Sequence, residues 1–190
     1  IMKKKVKKQK KYALLGKDIG YSFSKKYFTE KFKILHFDNC EYLNFDISSI
    51  KKFPEIFSEN KGLKGLNVTI PYKEEIIPYL DSLSKNAKKI GSVNTIVVSK
   101  NKKLKGYNTD FYGFKKSLKP LLKSHHTKAL ILGTGGASKG IAFALKKLQI
   151  EFDFVSRNPN EFQLSYDEID AEIFEDYTIF INTTPVGTFP

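Results

Sequence analysis

Cysteine, arginine and histidine are scarce in this chain, and each scarcity closes off a class of function. Cys40 is the single cysteine among 190 residues, which excludes an internal disulfide framework and suits a reducing compartment such as the cytoplasm. His36, His125 and His126 are the only histidines. With one cysteine they offer no metal-ligand spacing, so no metal is expected. Arg157 is the only arginine, whereas specific nucleic-acid readers depend on arginine for bidentate base and phosphate contacts. No apolar run approaches the roughly 20 residues of a membrane helix. The N-terminal lysines have no apolar stretch behind them, which speaks against a secretory signal.

What is abundant is bulky apolar material and lysine. Hydrophobic residues make up 41%, including 16 Phe and 10 Tyr, enough to build a packed core. The net charge of +13 is unevenly spread. Residues 1–11 hold seven lysines and no acid, and without them the charge falls from +13 to +6. The run reads as a solvated basic tail, and the mildly basic remainder suits a small anionic ligand.

Apolar periodicity predicts a strand at 12–15, a helix from Ser24, a strand at 41–45 and a helix after Ser48 or Ser49. A strand at 66–70 stops at Pro71. Short helices are expected over 74–80 and from Asp81 or Ser82 to Lys89. Residues 94–99 and 104–107 flank the polar turn 100–103 as a hairpin, and Asp110 opens a helix to about Leu122. After a polar interruption at 120–127 come a strand at 129–132, a glycine-rich turn, a helix over 138–148, and strands at 152–156 and 177–182. The expected fold is α/β with two domains. A basic tail (1–11) precedes a mixed-sheet substrate-binding, catalytic domain (12–109), and a Rossmann-like nucleotide-binding domain follows (110–190).

Gly133-Thr134-Gly135-Gly136-Ala137-Ser138 follows a strand and opens a helix. Such a turn lets the backbone approach a pyrophosphate, and the helix N-terminus supplies free N–H groups. The third fingerprint glycine is replaced by Ser138, and the bland alternative is a helix entry that needs glycine only for packing. An NAD site usually carries an acid at the tip of the next strand. Here that tip reads Val155-Ser156-Arg157-Asn158, so Arg157 is placed to pair with a 2′-phosphate, which favours NADP.

Four polar clusters fall where strands end: Ser22-Phe23-Ser24, Asn67 to Lys73, Gly91 to Thr95, and Gly106 to Asp110. Strand ends are where open α/β sheets keep ligands. Hydroxyls, amides, one lysine and one carboxylate together suit a polyhydroxylated anion. Taken singly, Ser24 and Asp110 read equally well as helix caps, Asn67 and Asn94 as turn residues, and Lys73 as a surface lysine.

Taken together the strings resemble the shikimate dehydrogenase family. Its pattern runs S-x-S, N-V-T-x-P-x-K, I-G-A-V-N-T, G-x-N-T-D-x-x-G, G-x-G-G-A and N-A-T-P-x-G. This chain shows Ser22 to Ser24, Asn67 to Lys73, Ile90 to Thr95, Gly106 to Gly113, Gly133 to Ala137 and Asn182 to Gly187 in that order. The resemblance implies reversible, NADP-dependent reduction of 3-dehydroshikimate to shikimate, in a cleft between two α/β domains of a cytoplasmic monomer or homodimer. By the same resemblance Ser22 and Ser24 bind the substrate carboxylate. Asn67, Thr69, Asn94 and Asp110 complete the substrate site, and Lys73 with Asp110 forms the catalytic pair. Gly133, Gly135, Gly136, Ala137 and Ser138 bind the NADP pyrophosphate, Ser156 and Arg157 the 2′-phosphate side, and Thr184 lies toward the nicotinamide.

The chain departs from the pattern at several places. Lys25 stands where proline is common, Tyr21 where histidine is frequent, and Thr188 where methionine is common. Ser156-Arg157-Asn158 replaces N-R-T, with no second basic residue after it. The family continues for several dozen residues past the last motif, completing the cofactor sheet, adding a glutamine to the substrate site and returning a helix to the first domain. This implies a fragment, a chain completed by another, or an impaired enzyme. The alternatives are a quinate/shikimate dehydrogenase using NAD or NADP, a noncatalytic small-anion binder, and a polyanion binder driven by the basic tail.

Overall fold

The computed structural model describes residues 8–187, so Lys3, Lys4, Lys5 and Lys7 of the basic tail lie outside the described residues, as does Thr188. The chain divides into two units. The first comprises residues 1–85 and 93–107, and the second residues 86–92 and 108–190.

In the first unit, short apolar stretches build β1 (Lys10–Gly16), β2 (Cys40–Asp46), β3 (Leu63–Val68), β4 (Ser82–Leu83), β5 (Thr95–Val98) and β6 (Leu104–Tyr107). They form one sheet in the order β2-β1-β3-β5-β6-β4. β1 runs parallel to β2 and β3, β4 runs parallel to β6, and β5 is antiparallel to both β3 and β6. Lys10 and Lys11 of the basic run pair within β1. Helix α1 (Ser24–Ile34) lays Phe28 and Phe32 against Tyr12, Leu14 and Tyr42 on one sheet face, and the Phe28 and Tyr42 rings stack at 4.6 Å. The register puts Ala13, Leu15, Leu66, Val68 and Ile96 on the opposite face, all buried. Ser49 accepts from the Lys51 N–H and leads into α2 (Phe53–Glu59).

The helices expected over 74–80 and 81–89 do not form as such. Residues 71–76 are turns, and Ile77–Tyr79 is a single 3-10 turn containing Pro78. Proline is tolerated there because the first turn has no N–H to lose. Asp81 does not open a helix. Its carboxylate accepts from the Leu104 N–H at 2.8 Å and from Lys103 Nζ at 2.7 Å, which draws Ser82–Leu83 alongside β6 as β4. Helix α3 begins only at Lys85 (Lys85–Ile90).

The second unit holds α4 (Asp110–Leu118), β7 (Lys128–Leu132), α5 (Gly136–Leu148), β8 (Glu151–Ser156), β9 (Gln163–Ser165), α6 (Ala171–Asp176) and β10 (Ile179–Asn182). Its four strands are all parallel, in the order β10-β7-β8-β9. Ala129 and Ile131 bury one sheet face against Ala142 and Leu145 of α5, with Phe114 and Leu118 of α4 packed on them. Leu130 and Val155 bury the other face with Tyr177, Ile169 and Ile173. Helices on both faces of a parallel sheet make this half a doubly wound α/β unit, the class expected for it. β9 and α6 were not expected. Among the described residues no helix is long and apolar enough to cross a membrane.

The Leu104 N–H first, and Lys103 second, hold the Asp81 carboxyl below the ordinary carboxylate range. A lowered folded-state pKa contributes stability that is present above the unfolded value and lost as pH falls through the folded one. Unfolding midpoints measured in denaturant from about pH 7 to about pH 3 are expected to drop less steeply on the acid side for Asp81→Asn than for the parent. Parallel profiles would remove Asp81 from the acid response.

Candidate active site

The polar cluster of the first unit gathers at one edge of its sheet. Gly16, Asp46 and Val68 end the parallel strands β1, β2 and β3 there, and Asn94 precedes antiparallel β5 at the same edge. Ser22 and Ser24 lie on the turn from β1 into α1, where Ser22 Oγ accepts from the Ser24 N–H at 3.3 Å. Ser24 is the first residue of α1, and its hydroxyl makes no cap; the N-cap is Phe23. The turn is pinned by a residue that no motif flagged. Both oxygens of the Asp46 carboxylate accept backbone N–H groups, from Asp18 at 2.8 Å and Ile19 at 3.0 Å.

A close backbone approach fixes the next turn. A Cβ on Gly16 would stand 2.6 Å from Thr69 Cγ2 and 2.5 Å from Ile19 Cγ2, so only glycine lets β1 end against Thr69. Asn67 Oδ1 accepts from the Tyr42 hydroxyl at 2.8 Å. After the cis Ile70–Pro71 peptide, Tyr72 turns into the core and its hydroxyl donates to the Ile47 carbonyl at 2.6 Å. Burial raises the Tyr72 phenol above its ordinary range, and the neighbouring charges of Glu75, Asp18 and Asp46 add to that. Lys73 follows, half-buried, and its carbonyl accepts from the Val93 N–H at 2.7 Å. Buried Asn94 donates its N–H to the Tyr107 carbonyl and receives the Val68 N–H, while its Oδ1 accepts from the Thr95 hydroxyl. Ser22, Ser24, Asn67, Thr69, Lys73 and Asn94 therefore share one edge of one sheet. A cavity of about 380 Å³ lined by Tyr12, Phe28, Phe32 and Tyr42 is apolar, and of these six residues only Asn67 borders it.

In the second unit β7 ends in the glycine turn. Gly133 has φ +99°, and a Cβ there would meet Thr184 Cγ2 at 2.9 Å and Thr183 Oγ1 at 3.1 Å. Thr184 is thereby placed beside the turn. Its hydroxyl donates to Asn182 Oδ1 at 2.6 Å and accepts from the Val186 N–H. Gly135 is the N-cap of α5, with open space where a side chain would lie. Gly136 and Ala137 open the helix, whose first turn has no acid. Ser138 is buried and its hydroxyl donates back to the Gly135 carbonyl at 2.7 Å, so it shapes the turn from within. At the β8 tip Ser156 is buried, its Oγ accepting from the Asn158 N–H, while Arg157 is exposed. Asp153, the acid nearest this tip within β8, accepts the Tyr177 hydroxyl instead. Open helix N–H groups, room at Gly135 and a lone exposed arginine fit a phosphate-bearing dinucleotide.

Asp110 is the first residue of α4, with Thr109 rather than Asp110 at the cap position. An acid there is favourably placed against the helix dipole. A Cβ on Gly140 of α5 would lie 3.4 Å from Asp110 Cβ, so Asp110 sits against the helix that opens at the glycine turn. Among the described residues no cluster of three or more His, Cys, Asp or Glu side chains is placed to hold a metal.

The family model described as the shikimate dehydrogenase substrate binding domain matches residues 14–96. A protein named shikimate dehydrogenase (NADP(+)) from Staphylococcus epidermidis is 40% identical over 190 residues, spanning 93% of this chain and 69% of the relative. The chain belongs to the shikimate dehydrogenase family. A second family member, shikimate dehydrogenase (NADP(+)) from Caldanaerobacter subterraneus, is 38% identical over 95% of this chain and 70% of its own length. The crystal structure of shikimate dehydrogenase 1 from Peptoclostridium difficile superposes with a TM-score of 0.77 at 36% identity, covering 96% of this chain and 69% of that one. The Thermus thermophilus shikimate 5-dehydrogenase, solved with NADP(H) and shikimate, gives 0.79 at 28% identity, with 94% and 70% covered.

The two glycines of the turn are expected to respond differently to a methyl group. Gly133→Ala forces a positive φ and a clash with Thr184, which should cost about 1–2 kcal/mol or more. Gly135→Ala, at φ −78° in open space, should cost less than about 1 kcal/mol. Thermal unfolding of both variants checks this, and equal losses would contradict the geometry.

Proposed function

We propose that this chain is an NADP-dependent shikimate dehydrogenase that reversibly reduces 3-dehydroshikimate to shikimate. The observation that carries the reading is the gathering of hydroxyls, amides and Lys73 at one sheet edge, within the stretch that the family's substrate-binding model matches. The domain assignment follows: 12–109 recognises substrate and carries Lys73, and 110–190 holds the cofactor. Ser22 and Ser24 receive the substrate carboxylate, and Asn67, Thr69, Asn94 and Asp110 its ring hydroxyls. The turn from Gly133 to Ser138 receives the pyrophosphate, Ser156 and Arg157 face the 2′-phosphate side, and Thr184 borders the nicotinamide. The enzyme acts in the cytoplasm, as a monomer or homodimer.

When bound, NADPH supplies the hydride for the 3-carbonyl. The protein's task is the proton. Lys73 Nζ donates it to the oxygen that gains charge, and takes it back in the reverse direction. Asp110 is the second member of the catalytic pair, and its carboxylate accepts from a substrate hydroxyl. Lys73 is half-buried and its carbonyl is held by the Val93 N–H, which fixes the point on the turn from which its side chain departs.

Oxidation of shikimate with NADP, followed as NADPH formation, tests the assignment. Lys73→Ala should lower kcat by about a hundred- to ten-thousandfold, with KM for shikimate changed far less. A loss confined to KM would make Lys73 a binding residue. Arg157 is the one arginine of the chain, so Arg157→Ala should raise KM for NADP by about tenfold or more, as expected for loss of a charge-assisted contact worth about 1.5–3 kcal/mol. The same variant should leave KM for NAD unchanged. An equal effect on both cofactors would remove Arg157 from 2′-phosphate recognition.

A further inference from the structure

Ser92 is wholly buried, and its hydroxyl donates at 2.9 Å to the carbonyl of Gly136, the first residue of α5. Buried hydroxyls are kept where they have a partner, and this partner is part of the glycine turn. The Ser92 carbonyl in turn accepts from Asn108 Nδ2 at 3.1 Å. Asn108 is itself buried, and its Oδ1 accepts from the N–H of Phe111, the residue after Asp110. The far side of the same arrangement closes at Gly140, where an added Cβ would lie 3.4 Å from Asp110 Cβ and 3.5 Å from Asn108 Oδ1. All these residues belong to the second unit. A chain of two buried side chains thus runs from the first turn of α5 to the first turn of α4.

We propose that Ser92 is a positioning residue for NADP, holding the first turn of α5 in its phosphate-binding form and, through Asn108, tying it to the turn that carries Asp110. The inference rests on the reading of 133–138 as the NADP turn. Glycine gives that turn little intrinsic stiffness, and Gly135 has no neighbour within 4 Å of where a side chain would be, so a tether from outside adds to the order that Ser138 supplies from within. The Gly136 carbonyl already serves the helix ladder, and the Ser92 bond is an additional tether. Removing it leaves the helix intact and lowers the fraction of turns ready to bind, which weakens apparent affinity in proportion.

The test is NADP binding to the full chain by titration calorimetry. Ser92→Ala should raise the dissociation constant about fivefold, the equivalent of one ordinary hydrogen bond, and KM for NADP should rise while KM for shikimate does not. Tyr177→Phe removes a different hydrogen bond of the same unit, to Asp153, and should leave NADP affinity unchanged. If Ser92→Ala does not fold, Ser92→Cys, which keeps a weak donor, should show a smaller rise in the same direction. Unchanged NADP affinity in the Ser92 variant, or an equal loss in Tyr177→Phe, overturns the proposal. A parent that binds NADP, weakened by Ser92→Ala, yet does not oxidise shikimate would sink the catalytic reading and uphold this one. A parent that oxidises shikimate, with NADP affinity indifferent to Ser92, would do the reverse. No NADP binding by the parent overturns both.

Discussion

A phenol buried at 2.6 Å from the Ile47 carbonyl holds the working edge of the first unit in place. Tyr72 is nearly inaccessible to solvent, and its burial makes ionisation unfavourable, so the hydroxyl remains a donor well beyond neutral pH. Thr69 receives the Tyr72 N–H, and the next residue along is Lys73. The polar turn is therefore anchored by an apolar ring, and the lysine inherits its backbone position from that ring. The arrangement separates two demands that conflict in a single residue. Tyr72 supplies rigidity from the core, while Lys73 keeps a long side chain available at the surface.

The second unit meets the same need by proximity rather than by anchoring. Its decisive contact is a place where a side chain has been left out, Gly133 against Thr184. Backbones and side chains close to van der Waals distance there, so helix and loop positions are set by steric limits. Steric limits are steep, which suits a surface that has to match the fixed shape of a dinucleotide. Hydroxyls then finish the work from inside. Ser138 closes on Gly135, Thr183 closes on the Leu132 carbonyl at 2.7 Å, and Ser156 receives the Asn158 N–H.

Much of this was legible in the sequence because it rests on repeating patterns. The long strands carry short apolar runs, α1 and α5 carry apolar residues at helical spacing, and the glycine turn sits between a strand and a helix. The failures have tertiary causes. Asp81 looks like a helix cap, yet its carboxylate is taken by Leu104 and Lys103 from β6 and the turn before it, contacts that no local window contains. β9 and α6, three and six residues long, are too short to display a period. Asp46 was missed because a single acid at a strand end has no pattern, although both its oxygens hold the turn that carries Ser22. Ser92 was seen only as part of a motif. Its bond to Gly136 spans 44 positions along the chain, so only the fold brings the two together.

The lone antiparallel strand of the first sheet has an architectural consequence. Because β5 runs down and β6 returns, Asn94 and Tyr107 meet at the working edge, and the turn between the strands lies at the opposite edge. That turn is closed by its own bonds, with the Ser99 N–H given to the Lys103 carbonyl and Ser99 Oγ receiving the Lys103 N–H. Residues 100–102 between them are exposed. Lengthening such a loop costs little closure entropy. The tip at 100–102 is thus a site where the surface can vary in length, charge or attached sequence while the chemistry at the other end of the same two strands is left alone.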